Sequence, residues 1–343
     1  MSVKKHRNIP VFIPHLGCPN TCVFCNQRSI SGCQGFERES VISEIENALS
    51  TIPCDCEVEI AYFGGSFTGI DREIMIYLLD VAKSYVERAD DGRARVVGIR
   101  MSTRPDYIND EIMDILSHYP VKTIELGLQS MSDEVLSLSK RGHTALDAER
   151  ACRLIRERGI ELIGQMMIGL PGGNLENELE TAIKICDMGA VGARIYPTVV
   201  FYDTELAKMA ERGEYQPISL DDAVYRSKEV LKIFSGRDVE CIRIGLCASD
   251  NLFDEEKVMG GANHAALGEL VVGELYYDEM CDLISLYGDA ATNRVAKFCV
   301  PQGDTSKAIG QNRKNKQRLI EKFKLRGLII KEHDAQTITL ALE

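Results

Sequence analysis

The chain has 343 residues, length for about two domains; its 45% hydrophobic and 27% charged residues exclude a disordered, collagen-like or coiled-coil protein. Forty Lys and Arg against fifty-two Asp and Glu give a net charge of −12, which argues against a molecule coated in nucleic-acid-binding surface. Twelve cysteines are too few for a disulfide scaffold, no apolar export segment follows Met1, and no apolar run approaches the roughly 18 to 20 residues of a membrane span, so a cytoplasmic protein with reduced thiols and no membrane contact is expected.

Short apolar or alternating runs predict strands over Asn8–Ile13, Val58–Phe63, Val96–Met101, Thr123–Leu128, Leu162–Ile168 and Val191–Tyr196. The intervals hold helical spacing over Glu39–Ser50, Arg72–Arg88, Asn109–Ser117, Thr144–Arg158 and Leu175–Met188, one crossover helix each. The side-chain oxygens of Asn109 and Thr144 can accept from the free N–H groups of a first turn, which marks both as helix starts. A helix over Leu220–Phe234 completes six β/α units. The fold class is therefore α/β, an open parallel sheet or a partial (β/α)6 TIM-type barrel, with chemistry at the carboxyl ends of the strands. Residues 1–240 form this barrel, 241–290 a connecting, substrate-side extension, and 291–343 a small α+β carboxyl-terminal domain.

The sharpest motif follows the first strand: Gly17-Cys18-Pro-Asn-Thr-Cys22-Val-Phe-Cys25-Asn26, a CxxxCxxC. Three thiolates on one tight loop can converge on a single metal centre. A closed structural zinc site needs four ligands, and His15 or Cys33 could supply the fourth. Three cysteines on a cubane 4Fe–4S cluster instead leave one iron open, as a catalytic centre requires. The motif, with Phe24 before its last cysteine, resembles that of the radical S-adenosylmethionine (SAM) superfamily. That resemblance implies a partial barrel, a 4Fe–4S cluster on Cys18, Cys22 and Cys25, SAM chelated at the unique iron, and reductive cleavage of SAM to methionine and a 5'-deoxyadenosyl radical. It also implies SAM contacts from Gly64, Gly65 and Ser66 within Phe63-Gly-Gly-Ser-Phe67, and places Gly127-Leu-Gln-Ser130 and Gly169-Leu-Pro-Gly-Gly173 along the SAM pocket.

The runs Ser102-Thr-Arg-Pro-Asp-Tyr107, Glu125-Leu-Gly-Leu-Gln-Ser130, Lys140-Arg-Gly-His-Thr144, Met166-Met167, Ile195-Tyr-Pro-Thr198 and Tyr215 resemble the radical SAM half of the Elongator catalytic subunit family over roughly residues 8 to 240. That family modifies wobble uridines of tRNA. By likeness to it and to the oxygen-independent coproporphyrinogen oxidases, Gln129 and Arg141 stand near the SAM ribose or carboxylate, the latter as a fork suited to a carboxylate or else as a solvated helix-end charge. Ser102 and Gln165 replace a Glu and an Asp of those families and stand among the expected SAM contacts. Elongator subunits have a longer cysteine spacing and a fused acetyltransferase domain that this chain is too short to contain, so their reaction type does not transfer.

Between Arg294 and Arg326 ten Lys or Arg face two acidic residues, a local balance of +8. The order strand Ala296–Val300, helix Thr305–Ile309, Gly310-Gln-Asn-Arg313, helix Lys314–Lys324, strand Leu328–Lys331 resembles a KH RNA-binding module, whose GxxG loop admits the nucleic-acid backbone, with Arg313 at the place of the second glycine. Phosphate contacts would come from Lys307, Gly310, Arg313, Lys314, Lys316 and Arg318; the other reading is a basic solvated helix. His264, in Gly260-Gly-Ala-Asn-His264-Ala-Ala-Leu-Gly-Glu269, is a candidate acid or base, although a turn before a helix explains it equally. The expectation is a radical SAM enzyme acting on RNA, most plausibly tRNA, served by an electron donor such as ferredoxin or flavodoxin. The alternatives are a radical SAM enzyme acting on a small molecule such as a tetrapyrrole, and a zinc-stabilised RNA-binding protein without catalysis.

Overall fold

The computed structural model describes residues 5–18, 22–26, 35–89, 92–246, 254, 256–334 and 337–343. They form two compact units, residues 1–219 with 230–263, and residues 220–229 with 264–343. Among the described residues no helix is long and apolar enough to cross a membrane.

The first unit is built on a parallel sheet of seven strands: β1 (His6–Phe12), β2 (Glu57–Phe63), β3 (Arg95–Thr103), β4 (Val121–Gln129), β5 (Glu161–Ile168), β6 (Gly192–Pro197) and β8 (Glu240–Ile244), in the order β1-β2-β3-β4-β5-β6-β8. It is the curled sheet of a partial TIM-type barrel, with one strand beyond the six expected. Two short strands, β7 (Val199–Phe201) and β9 (Val258–Gly261), pair antiparallel beside it. The helices are α1 (Val41–Thr51), α2 (Arg72–Val86), α3 (Asp110–Leu116), α4 (Asp133–Leu138), α5 (Ala145–Glu157), α6 (Leu175–Asp187), α7 (Glu205–Glu211) and α8 (Leu220–Gly236), the last of which begins in the second unit's residues.

Local chemistry sets these boundaries. Asn109 Oδ1 accepts from the Ile112 N–H at 3.0 Å, and Thr144 and Asp147 close a reciprocal capping box, so both expected helix starts are present. Each cap contributes about 1 kcal/mol. One set of strand residues, among them Val11, Val58, Ile60, Ile99, Ile124 and Ile195, is fully buried, at roughly 1.5–3 kcal/mol each. Residues of opposite parity put charge inside: Glu59, Arg100 and Glu125 are all at least nine-tenths buried. Because neighbouring side chains alternate in direction, a slip of one residue would exchange these two sets.

The second unit carries α9 (Leu267–Ser285), β10 (Val295–Pro301), α10 (Thr305–Ile309), α11 (Lys314–Phe323), β11 (Gly327–His333) and β12 (Thr339–Leu342). The sheet order is β11-β10-β12, with β10 parallel to β11 and antiparallel to β12. All four elements expected between 296 and 331 are present; β12 is an addition. Phe298, Val300, Leu319 and Leu328 fill the core against Met280 and Ile284 of α9.

Candidate active site

The cysteine loop leaves the carboxyl end of β1 and is sewn, backbone to backbone, to the loop after β2. His15 N–H donates to the Gly64 carbonyl at 3.0 Å, and Ser66 N–H to the Leu16 carbonyl at 2.8 Å. Gly17 has a φ of +69°, and a Cβ there would lie 2.2 Å from the Ser66 carbonyl oxygen. A Cβ on Gly65 would come within 2.5 Å of the Ile13 and Leu16 carbonyls. These glycines are therefore required by close approach, and Gly17 also by its left-handed backbone. The Ser66 hydroxyl is fully buried, meets Thr103 Oγ1 at 3.0 Å and accepts from the Arg104 N–H at 3.2 Å, so its visible work is to join the second and third strand ends.

Around the thiols stand two buried arginines. Arg141 Nη1 donates to Cys22 Sγ at 3.3 Å and Nη2 to the Gly127 carbonyl at 2.7 Å. Arg104 Nη1 points at the same sulfur at 3.6 Å, while its Nε and Nη2 grip the Asp106 carboxylate at 2.9 and 2.8 Å. Arg104 Nη2 also donates to the Arg141 carbonyl at 2.5 Å, tying one arginine to the other's backbone. Burial works against the Arg104 charge, but Asp106 and then the Cys22 and Cys18 thiols outweigh it and raise its pKa. Burial raises the Cys18 thiol, with Arg141 and Arg104 pulling the other way. His143 is enclosed beside this group, and burial lowers its pKa to about 4, with Arg141 and Arg104 acting in the same direction against Asp106. Sequence reasoning did not single out Arg104; the signal available was its place before Pro105 and two residues from a carboxylate.

At the end of β4, Gln129 takes a φ of +68°, and its Oε1 is buried with no hydrogen-bond partner among the described residues, as is Arg141 Nε. Both side chains pass Gly127, where a Cβ would fall 2.8 Å from Arg141 Nη2 and 3.0 Å from Gln129 Nε2. Ser102 is half-buried with its hydroxyl 3.5 Å from the Tyr62 carbonyl. Gln165 belongs to the charged interior: its Nε2 donates to Glu125 Oε2 at 2.9 Å. Tyr215 donates to the Gly169 carbonyl at 2.7 Å. Among the described residues no three His, Cys, Asp or Glu side chains stand at metal-holding distances. Cys33, a possible fourth zinc ligand, lies outside the described residues.

In the second unit, the His264 ring accepts the Ala266 N–H on Nδ1 at 3.1 Å just before α9. Gly310 has a φ of +75°, and a Cβ there would meet Asn315 at 2.8 Å. Arg313, at the place of a second glycine, is exposed and left-handed, with φ 62°. Arg313 and Lys314 are exposed and Lys316 half-buried, whereas Lys307 is paired with Asp304 at 2.6 Å and Arg318 with Glu274 at 2.5 Å. Arg318 also lies 3.6 Å above the Tyr277 ring.

A parallel partial barrel with a three-thiol loop at the carboxyl edge of its first strand, backed by glycine turns on the next, defines a cofactor-dependent α/β enzyme. The radical SAM superfamily model matches residues 12–185, half of the chain, and the radical SAM C-terminal domain matches residues 190–277. The chain belongs to the radical SAM superfamily, whose cofactors are a 4Fe–4S cluster and SAM. An uncharacterized Methanocaldococcus jannaschii protein is 31% identical over 233 residues, 64% of this chain and 68% of that protein. The tRNA uridine(34) acetyltransferase of the same organism is 29% identical over 194 residues, 52% of this chain and 35% of the relative. The structure of Methanocaldococcus infernus Elp3 superposes with a TM-score of 0.63 at 22% identity, covering 82% of this chain and 64% of that one.

Proposed function

We propose that this protein is a radical SAM enzyme that modifies RNA, with tRNA as the substrate class. The observation that carries the first half is the thiol loop with its cationic surround. The donor set fits: Cys18, Cys22 and Cys25 supply three sulfur ligands and leave one iron of a cubane open, and the buried guanidinium groups at Cys22 suit an anionic centre. Gln129 Oε1 and Arg141 Nε beside Gly127, unpartnered among the described residues, suit the polar groups of SAM. When bound, the cluster supplies the electron that cleaves SAM and so starts hydrogen-atom abstraction. The chain's own interior matches such chemistry, because Glu59 is engaged by Arg100, and Glu125 by Arg100 and Arg194, so that neither carboxylate stands ready as a general base.

The RNA half rests on the tRNA-modifying relatives and on the second unit. There the left-handed Asn312 and the exposed Lys314 line a cavity of about 580 Å³ that also meets Tyr225, His264 and Gln317. Lys316, half-buried, follows on the same helix. A low-potential donor of the ferredoxin or flavodoxin kind is the expected electron source.

Nucleosides of RNA from cells with and without the gene, compared by mass spectrometry, test this reading: one modified nucleoside should disappear. Charge reversal at Lys314 and Lys316 should weaken and flatten the salt-dependent binding of tRNA. Unchanged nucleosides together with unchanged affinity would move the substrate to the small-molecule class. Anaerobically purified protein that holds zinc and neither iron nor sulfide would end the radical reading.

A further inference from the structure

Arg141 is 7% exposed and has no carboxylate partner among the described residues. Its fork is spent on one carbonyl and one cysteine sulfur, and Nε has no partner among the described residues. A buried cation without an anion is costly, so the anion it stands against is the sulfur centre itself. Arg104, 3% exposed, adds a second guanidinium N–H to the same sulfur, and its carboxylate partner grips the opposite side of the fork.

We propose that Arg104 and Arg141 form a cationic clamp on Cys22 that raises the reduction potential of the cluster, with Arg104 as a positioning residue acting through the Cys22 sulfur. The inference rests on Cys22 being a cluster ligand. Reduction brings one electron from a low-potential donor and no proton, so the centre becomes more negative by one charge. N–H groups and positive charge directed at a ligand sulfur favour that more negative state over the oxidised one. A clamp on one of three ligand sulfurs sets the potential without occupying the open iron. It also gives Arg104 a role distinct from SAM binding: its Nη1 faces sulfur, and its remaining nitrogens are held by Asp106 and the Arg141 carbonyl.

The test is a potentiometric titration, followed by electron paramagnetic resonance, of anaerobically reconstituted wild type, Arg104→Gln and Arg104→Lys, each at measured iron content. In Arg104→Gln the reduced-to-oxidised ratio at a fixed potential should fall about tenfold, a midpoint about 59 mV lower for one electron. Arg104→Lys, which keeps the charge and loses the fork, should fall by less than half of that. A fully loaded Arg104→Gln with the wild-type midpoint overturns the proposal, because a merely structural arginine would lower iron content and leave the potential of the loaded fraction unchanged. If Arg104→Gln takes up no iron, the loaded Arg104→Lys decides, and a midpoint equal to that of the wild type overturns the clamp. Full iron binding by Cys22→Ala would instead remove the ligand assignment, a failure separable from that of the clamp.

Discussion

Arg194 holds Glu125 with both ends of its fork, Nε to Oε2 at 2.8 Å and Nη2 to Oε1 at 2.9 Å, inside the barrel. Arg100 reaches the same carboxylate at 3.0 Å and Glu59 at 2.8 Å, so two cations and two anions from four strands neutralise each other. Glu125→Ala leaves both arginines short of a partner in a site 1% exposed and should cost about 3–5 kcal/mol in urea unfolding. A loss below 1 kcal/mol would show that water enters this layer freely.

Gly17 and Gly159 share a left-handed backbone, φ +69° and +70°, but only Gly17 is crowded. Gly159→Ala meets nothing within 4 Å and should cost only the conformational strain, about 1 kcal/mol. Gly17→Ala must also displace backbone from the loop after β2, and should destabilise by at least about 2 kcal/mol while lowering iron uptake. Equal effects of the two substitutions in thermal melts and iron assays would refute the seam between the loops.

Burial disfavours the imidazolium of His143 and lowers its pKa from the ordinary 6.5 to about 4. Its folded-state pKa is the lower one, so between pH 6.5 and 4 the unfolded chain binds the extra proton. The stability it contributes is complete above pH 6.5 and is lost as the pH falls towards 4, in all about 3 kcal/mol. Unfolding free energies of wild type and His143→Gln should therefore converge over that interval, and parallel curves would exclude it.

Arg313 pays for a left-handed conformation that glycine adopts freely. Arg313→Gly should raise the stability of the protein by about 1 kcal/mol. The same change should weaken tRNA binding and reduce its salt slope by about one. Stability and affinity that fall together would show the side chain to be structural.

Legibility followed the range of the forces. The first six strands, their crossover helices and the caps at Asn109 and Thr144 were readable because alternation, helical period and capping oxygens lie within a few residues of one another. The pairing of β7 with β9 was hidden, since strands of three and four residues, with Val199 opposite Gly261, have no period to detect. The last barrel strand, Glu-Cys-Ile-Arg-Ile, and β12 were too short or too polar to stand out. Along a single strand the charges of the barrel cannot be told from solvent-facing alternation; that Glu125 meets Arg100 and Arg194 depends on register between residues 25 and 69 positions apart. The cysteine motif was plain, whereas the Arg104 approach to Cys22 crosses 82 residues and becomes visible only in three dimensions.

The tight seam at Gly17, Gly65 and Gly69 makes the thiol loop and its neighbour a single inherited part. Neither loop can be lengthened, shortened or transplanted alone, because each uses the other's main chain as its mould. A designer moving this cofactor site to another barrel would have to graft the thiol loop, residues 13–26, and residues 63–70 together.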